Sequence, residues 1–320
     1  MARLTERKIV LVYRETRLDG LIARYNNPMQ ARFHIEHLGA DFSDYEDEDR
    51  NYRQSLAIAE ECCGRLGIVQ KLHRRFLPGY VFGPDDVVVA VGQDGLVANT
   101  LKYLIGQTLV GVNPDRGRWD GVLCVFAPED LTDVVSGIFA GRNRVREVSM
   151  AQAILSDGQS LLAVNDFFIG QKSHTSARYR IETGGKTEDQ SSSGILVSTG
   201  LGSTAWMTSV MTAAIGIAEM VQQRPENSGK SGNKKAKPDF SFPWEADRLR
   251  FHVREPFPTR TTGTDILAGT VDAENPLTVL SQMSENGVIF SDGVESDFLN
   301  FPSGVTARIG LAGHKGRLAV

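Results

Sequence analysis

The sequence predicts an α/β domain followed by a mostly β domain. Three observations carry this. The chain has 320 residues, enough for two domains at roughly 150 residues each. Strand and helix patterns alternate through about the first 115 residues, as in α/β proteins. After Trp119 the grammar changes to short β-rich runs separated by turn residues. A chain of this size buries about three quarters of its unfolded surface and needs no disulfide or metal to hold it together.

The elements follow in order. Lys8–Tyr13 is an apolar run read as the first strand. Pro28 opens a helix through Leu38, and Gly39 stops it. A longer helix spans Asp44 to Leu66, with Asp44 as its cap and acidic residues in its first turns, where they complement the helix dipole. Leu56, Ala59, Cys63 and Leu66 form its buried stripe. The acidic cluster Glu46–Asp49 reads as a solvated helix start. Ile68–Leu72 is a second strand. Asp86–Val91 is almost continuously apolar and β-branched, the signature of a strand buried on both faces in a parallel sheet. A helix over Leu96–Leu104 and a strand over Leu109–Val112 complete the alternation.

Beyond Trp119 the predicted strands are Val145–Leu155, Leu161–Ile169, Ala177–Thr183, Ile195–Ser198, Leu249–Val253, Leu277–Leu280 and Val288–Phe290. One helix stands among them, Ala205–Gln222. The polar, basic stretch at about residues 224–240 reads as a flexible loop. The first domain is expected over residues 1–122 and the second over 123–304.

Composition narrows the function classes. A 41% hydrophobic and 23% charged chain is neither disordered, collagen-like nor a coiled coil. The formal net charge of −4 and a pI near 5.9 lack the basic footprint of a general nucleic-acid binder. No uninterrupted run of about 18 apolar residues occurs, so no membrane-crossing helix and no membrane partner are expected. The opening MARLTERKIVLVYR lacks an apolar core followed by small residues, so it does not read as a signal peptide. Cys62, Cys63 and Cys124 offer neither a disulfide framework nor zinc spacing. They are expected as buried thiols in a reducing, cytoplasmic setting, and no metal site is expected.

Several motifs imitate known sites. Gly200-x-Gly202-x-x-Ala205 fits a dinucleotide fingerprint, which also needs an acidic strand end about 20 residues on. That place holds Glu219, inside a helical run. Gly185-Lys186-Thr187 and Gly229-Lys230-Ser231 imitate phosphate loops without the required first glycine. His34 and His37 read as surface.

Four segments in order carry chemistry. In the first, the strand Val87–Val91 ends in Gly92-Gln93-Asp94-Gly95 and a helix follows. Glycines at a helix start let a phosphate approach the backbone N–H groups. A tight turn with Asp94 as helix cap explains this motif equally well. The others are Gly111-Val-Asn113-Pro114, Val164-Asn165-Asp166-Phe-Phe-Ile169, and Gly194 through Thr199-Gly-Leu-Gly202-Ser203-Thr204-Ala205-Trp206.

Together, over about residues 85–320, these segments resemble the NAD kinase family, which shows GGDG, GVN, an asparagine–acid pair and TPTGSTAY in this order. The run Asn165-Asp-Phe-Phe-Ile-Gly170, Ser192-Ser-Gly194, Ala205-Trp206 and Val253-Arg-Glu-Pro256 resemble its mitochondrial-type branch. The resemblance implies a Rossmann-like α/β domain, then a sandwich-like β domain, with residues of about 305–320 returning to the first. It implies transfer of a phosphoryl group from ATP, with Mg²⁺, to the adenosine 2′-hydroxyl of NAD, and a homodimer or homotetramer. Asp94 matches the catalytic base, and Gly92 and Gly95 the phosphate lining. Asn113, Asn165, Asp166, Thr199, Gly202, Ser203, Thr204, Ala205, Trp206 and Ser209 match nucleotide-binding positions. The chain departs from the family at Gln93, Leu96, Ser193 and Val294. Gln93 puts a side chain where the family brings backbone to phosphate. Two alternatives therefore stay open: a kinase of the same fold acting on a sugar or lipid hydroxyl, and an NAD(P)-binding protein without turnover.

Overall fold

The computed structural model describes residues 4–222 and 239–320. All but the last two residues of the expected loop at 224–240 lie at or beyond the edge of these: residue 223 through 238 fall outside the described residues. The chain divides into two compact units. The first runs to Glu147 and takes in Gly316–Val320; the second spans Val148–Lys315.

The first unit is built on a parallel sheet of β1 (Lys8–Tyr13), β2 (Ile68–His73), β3 (Val87–Val91) and β4 (Thr108–Val112), in the order β2-β1-β3-β4. All five residues of β3 are buried, as its apolar run requires. Between β1 and β2 come α1 (Arg17–Tyr25), α2 (Pro28–His37) and α3 (Ser43–Leu66). Helix α1 carries a short apolar stripe, Leu18, Leu21, Ile22 and Tyr25, whose residues are half-buried. It is held by its capping box, in which the Thr16 hydroxyl accepts from the Asp19 N–H and the Asp19 carboxylate accepts from the Thr16 N–H. Helix α3 starts a residue earlier than expected, with Phe42 at its N-cap and Asp44 inside its first turn. Tyr52, Ala59, Cys63 and Leu66 pack it against Ile9, Leu11, Val89 and Val112. The acidic start is not all solvated, because Glu48 is only 2% exposed.

The first unit extends past residue 122 because α5 (Leu131–Phe139) buries Leu131, Val134 and Val135 in the same core. The end of β16 (Thr306–Ala319) also belongs to it. Arg317 and Leu318 pair parallel with Thr108 and Leu109 of β4. Ala319 joins the core, and the Val320 N–H donates to the Arg144 carbonyl.

The second unit is a sandwich. One sheet carries β12 (Ala268–Val271), β11 (Leu249–Arg254), β10 (Gly194–Ser198), β7 (Asp166–Gln171), β14 (Gly287–Ser291) and β15 (Val294–Asn300), in that order. The other carries the first part of β16, then β13 (Leu277–Ser281), β8 (Ala177–Thr183) and β9 (Lys186–Ser192), with β5 (Val145–Leu155) and β6 (Ser160–Ala163) alongside. Alternate residues of both sheets, among them Phe167, Ile169, Tyr179, Ile195, Phe251 and Val279, meet in one core. Strands β8 and β9 join through Gly184 and Gly185 at φ 54° and 73°, a two-residue loop that needs glycine. Lys186 and Thr187, which imitated a phosphate loop, are therefore strand residues.

Helix α6 (Trp206–Gln222) corrects an expectation. Over Gly202–Val221 the chain is long and apolar enough to cross a membrane by length and composition, with mean hydropathy 1.3. Its threonines, serines, glycines and single glutamate hid this from a search for an uninterrupted apolar run. Ile217, Met220 and Val221 are exposed.

Candidate active site

In the first unit, the chain leaves β3 at Gly92 and enters α4 (Asp94–Leu101) at once. The helix begins at Asp94, two residues earlier than expected. Gln93 is the N-cap, and its side chain makes no capping bond. Asp94 is thus not the cap. Its carboxylate instead receives three backbone N–H groups: Val122 on Oδ2 at 2.9 Å, and Leu123 and Cys124 on Oδ1 at 2.8 and 3.2 Å. The Cys124 thiol also hydrogen-bonds this carboxylate. A Cβ on Gly92 would press on the Leu96 side chain, whereas the space around Gly95 is open. The Leu96 and Val97 N–H groups donate to the Gln93 carbonyl; those of Asp94 and Gly95 precede the first intrahelical bond and face anions favourably.

Asn113, predicted to touch nucleotide, is 3% exposed and holds its own loop. Its Nδ2 donates to the Trp119 carbonyl at 2.8 Å, and its Oδ1 accepts from the Asp115 N–H. Burial pushes the Cys63 thiol up to about 12 and raises that of Cys124 as well. All three cysteines are free thiols.

In the second unit, the predicted strand Leu161–Ile169 is broken at Val164–Asn165, and one side chain explains the break. Asp292, at φ 53°, accepts the backbone N–H groups of Val164, Asn165 and Asp166 at 2.7 to 3.3 Å. The Asp292 N–H donates back to the Asp166 carbonyl. The Thr199 hydroxyl donates to the Val164 and Asn165 carbonyls and accepts the Gly202 N–H. A Cβ on Gly202 would run into the Asn165 carbonyl, so this glycine serves close backbone packing. Thr199, Gly202 and Ser203 are buried and set the turn; Thr204 and Ala205 are exposed on it, and Ser209 is exposed in α6.

Asp166 and Trp206, about 40 residues apart, line one cavity of about 250 Å³ with Phe168, Lys172, Phe290 and Gly293. Phe168 stacks on Trp206 at 5.9 Å and on Phe290 at 6.4 Å. The Arg254 guanidinium lies over both Phe168 and Trp206. Asp166 is 5% exposed. Burial, with the Asp292 charge behind it, pushes its carboxyl up to about 7. The cavity therefore combines flat aromatic walls, cations at its rim and a carboxyl that both donates and accepts near neutral pH. Those features suit a planar heterocycle with polar edges.

Sequence reasoning placed Asp166 and Trp206 here but missed Phe168, Lys172 and Phe290. They become one surface only when β7 and β14 pair, with Phe168 opposite Phe290. Arg254 lay within a quoted motif, but without a role.

No family model matches the chain. A NAD kinase of Methylococcus capsulatus is 34% identical over 133 residues, which cover 39% of this chain and 44% of that protein. One of Mesorhizobium japonicum is 29% identical over 124 residues, 38% and 47% of the two. The chain spans about half the length of the curated relatives it matches. Two solved structures cover almost all of it. A NAD kinase from Archaeoglobus fulgidus in complex with ATP superposes with TM-score 0.56 at 16% identity, covering 97% of this chain and 92% of that one. Yeast NADH kinase complexed with NADH gives TM-score 0.58 at 12% identity, covering 99% and 84%. The fold is that of these kinases, and the curated relatives support a place in the NAD kinase family.

Proposed function

We propose that this chain, built on the NAD kinase fold, is an ATP-dependent NAD kinase of the mitochondrial-type branch. The observation that supports the acceptor most is the convergence of Asp166 and Trp206 on one aromatic-walled cavity. The adenine of NAD is the heterocycle assigned to it. The 2′-oxygen attacks the γ-phosphorus, the bond from that phosphorus to the bridging oxygen breaks, and ADP leaves. The Asp94 carboxylate takes the hydroxyl proton.

The fixed carboxylate suits this role, since three backbone N–H groups hold it without the freedom of a surface aspartate. The donor enters as MgATP. Among the described residues no cluster of three His, Cys, Asp or Glu side chains could cage a cation.

Gln93 favours a second reading, because its uncapped side chain stands at the start of α4. That reading is NAD(P) binding without turnover. Purified protein with ATP, Mg²⁺ and NAD, followed with an NADP-specific dehydrogenase, tests both. NADP formation that disappears in Asp94→Asn is expected. NAD binding with no NADP formed favours the second reading.

A further inference from the structure

Arg14 is the first residue after β1. The order β2-β1-β3 means that the chain leaves β1 toward one side and resumes, at β3, on the other. The reversal lies between β1 and β3. In open parallel sheets, ligands sit outside the carboxyl ends of the strands at such a reversal. Val12 pairs with Ala90, so Arg14 leaves β1 level with Gly92, at the start of the Gly92–Gly95 turn.

The guanidinium of Arg14 is held with care. Its Nη2 donates to Glu48 Oε1 at 2.8 Å, and its Nη1 to the Glu15 carbonyl at 2.7 Å. The plane rests over the Tyr52 ring at 4.9 Å. The Tyr52 hydroxyl ties the two strands together, accepting the Arg14 N–H and donating to the Val91 carbonyl. Glu48 is 2% exposed, and its other oxygen accepts the Arg17 N–H. Yet Arg14 Nε is buried without an acceptor. A buried donor on a charged group without a partner is costly, and in a native fold such an atom calls for an explanation.

We propose that Arg14 positions the donor nucleotide by taking a phosphate oxygen at this reversal, with Glu48 fixing the direction of the guanidinium. The identity of the nucleotide rests on the kinase reading above; the phosphate site rests on the reversal and the unpartnered Nε. A guanidinium presents five N–H groups in a planar fork that matches phosphate, and here two are engaged by protein oxygens. The open space at Gly95 leaves the first turn of α4 accessible to the same anion. Glu48 neutralises the arginine in the unliganded fold, so the loop bears no uncompensated buried charge. Arg14 is a positioning residue in this scheme, not the base.

Calorimetry with ATP, ADP and adenosine as probes, alongside KM for ATP and for NAD, tests it. Arg14→Met is expected to weaken ATP and ADP binding about tenfold and to raise the KM for ATP, with adenosine affinity and the KM for NAD within about twofold. Arg14→Lys should recover part of the ATP affinity through its point charge. Glu48→Gln keeps an acceptor for Arg14 and removes a competing charge, so ATP should bind at least as tightly as to the unsubstituted protein. That variant reads the site even if Arg14→Met fails to fold. ATP affinity unchanged in Arg14→Met, an equal loss for adenosine, or weaker ATP binding in Glu48→Gln overturns the proposal. Unsubstituted protein that makes no NADP, but loses ATP affinity in Arg14→Met, overturns the NAD kinase reading and leaves the phosphate site standing.

Discussion

A carboxylate that anchors three N–H groups and also accepts a proton cannot be replaced without two effects. Asp94→Asn keeps one acceptor oxygen but turns an NH₂ group toward backbone N–H donors. Turnover should fall about 10²- to 10⁴-fold, the usual worth of a positioned acid or base. The melting free energy should fall by about 1–3 kcal/mol as the Val122–Cys124 N–H groups lose their acceptor. NAD affinity by calorimetry should stay within a few-fold, because the aromatic cavity is untouched. Gln93→Gly should raise turnover or lower the KM for ATP if the side chain obstructs the donor, and steady-state kinetics of that variant reads this directly.

Asp166 makes a different prediction, on pH. Its carboxyl is raised to about 7 from an ordinary 3.8. Between those values the folded protein holds a proton that the unfolded chain has released, so stability declines as pH rises from about 4 to 7 and levels off above. The decline attributable to this group is on the order of 3–5 kcal/mol. Denaturant melts of the unliganded protein across that range should show it, and Asp166→Asn should flatten the curve. An unchanged slope in that variant would assign the pH dependence elsewhere.

At the scale of elements, the turn after β10 is packed against the start of β7, and Gly202 is where they meet. Gly202→Ala would drive a methyl group into the Asn165 carbonyl. It should cost about 1–3 kcal/mol by overpacking, and NAD affinity should drop with it because Asp166 is the next residue on. Trp206→Ala removes one wall of the cavity while leaving that turn intact, so it should weaken NAD binding with little change in melting temperature. Elements legible in the sequence were those whose burial is one-sided and periodic or complete: α3 from its stripe, β3 from its apolar run. Helix α1 was passed over although its signal is local, with Leu18, Leu21, Ile22 and Tyr25 at helical spacing behind the Thr16 cap. Strands β9 and β15 read as polar because they lie toward the edges of their sheets. The break between β6 and β7 was invisible because its cause, Asp292, is more than 120 residues away along the chain.

For the whole molecule, the alternation of strand and helix followed by β runs was sufficient to read the two architectures, and the four ordered motifs located Asp94, Asp166 and Trp206. What they could not locate were groups supplied by long-range pairing, such as Phe290, or by a helix that looked solvated, such as Glu48. The membership of the first unit is likewise non-local. Removing residues 316–320 would strip Arg317 and Leu318 from β4 and Ala319 from the core. That deletion should lower the melting temperature of the first unit and leave the sandwich folded, which hydrogen exchange of the two cores would resolve.

The return of those residues also has a consequence for synthesis. Ribosomes emit the chain from its amino end at about 5–20 residues per second. The first sheet to emerge must wait through the entire sandwich before its last strand arrives. Until then β4 presents an unpaired flank, and such flanks recruit other chains. Nascent protein should therefore stay vulnerable to chaperone capture and aggregation until β16 has been made, so that the first sheet closes only after the sandwich strands that precede it.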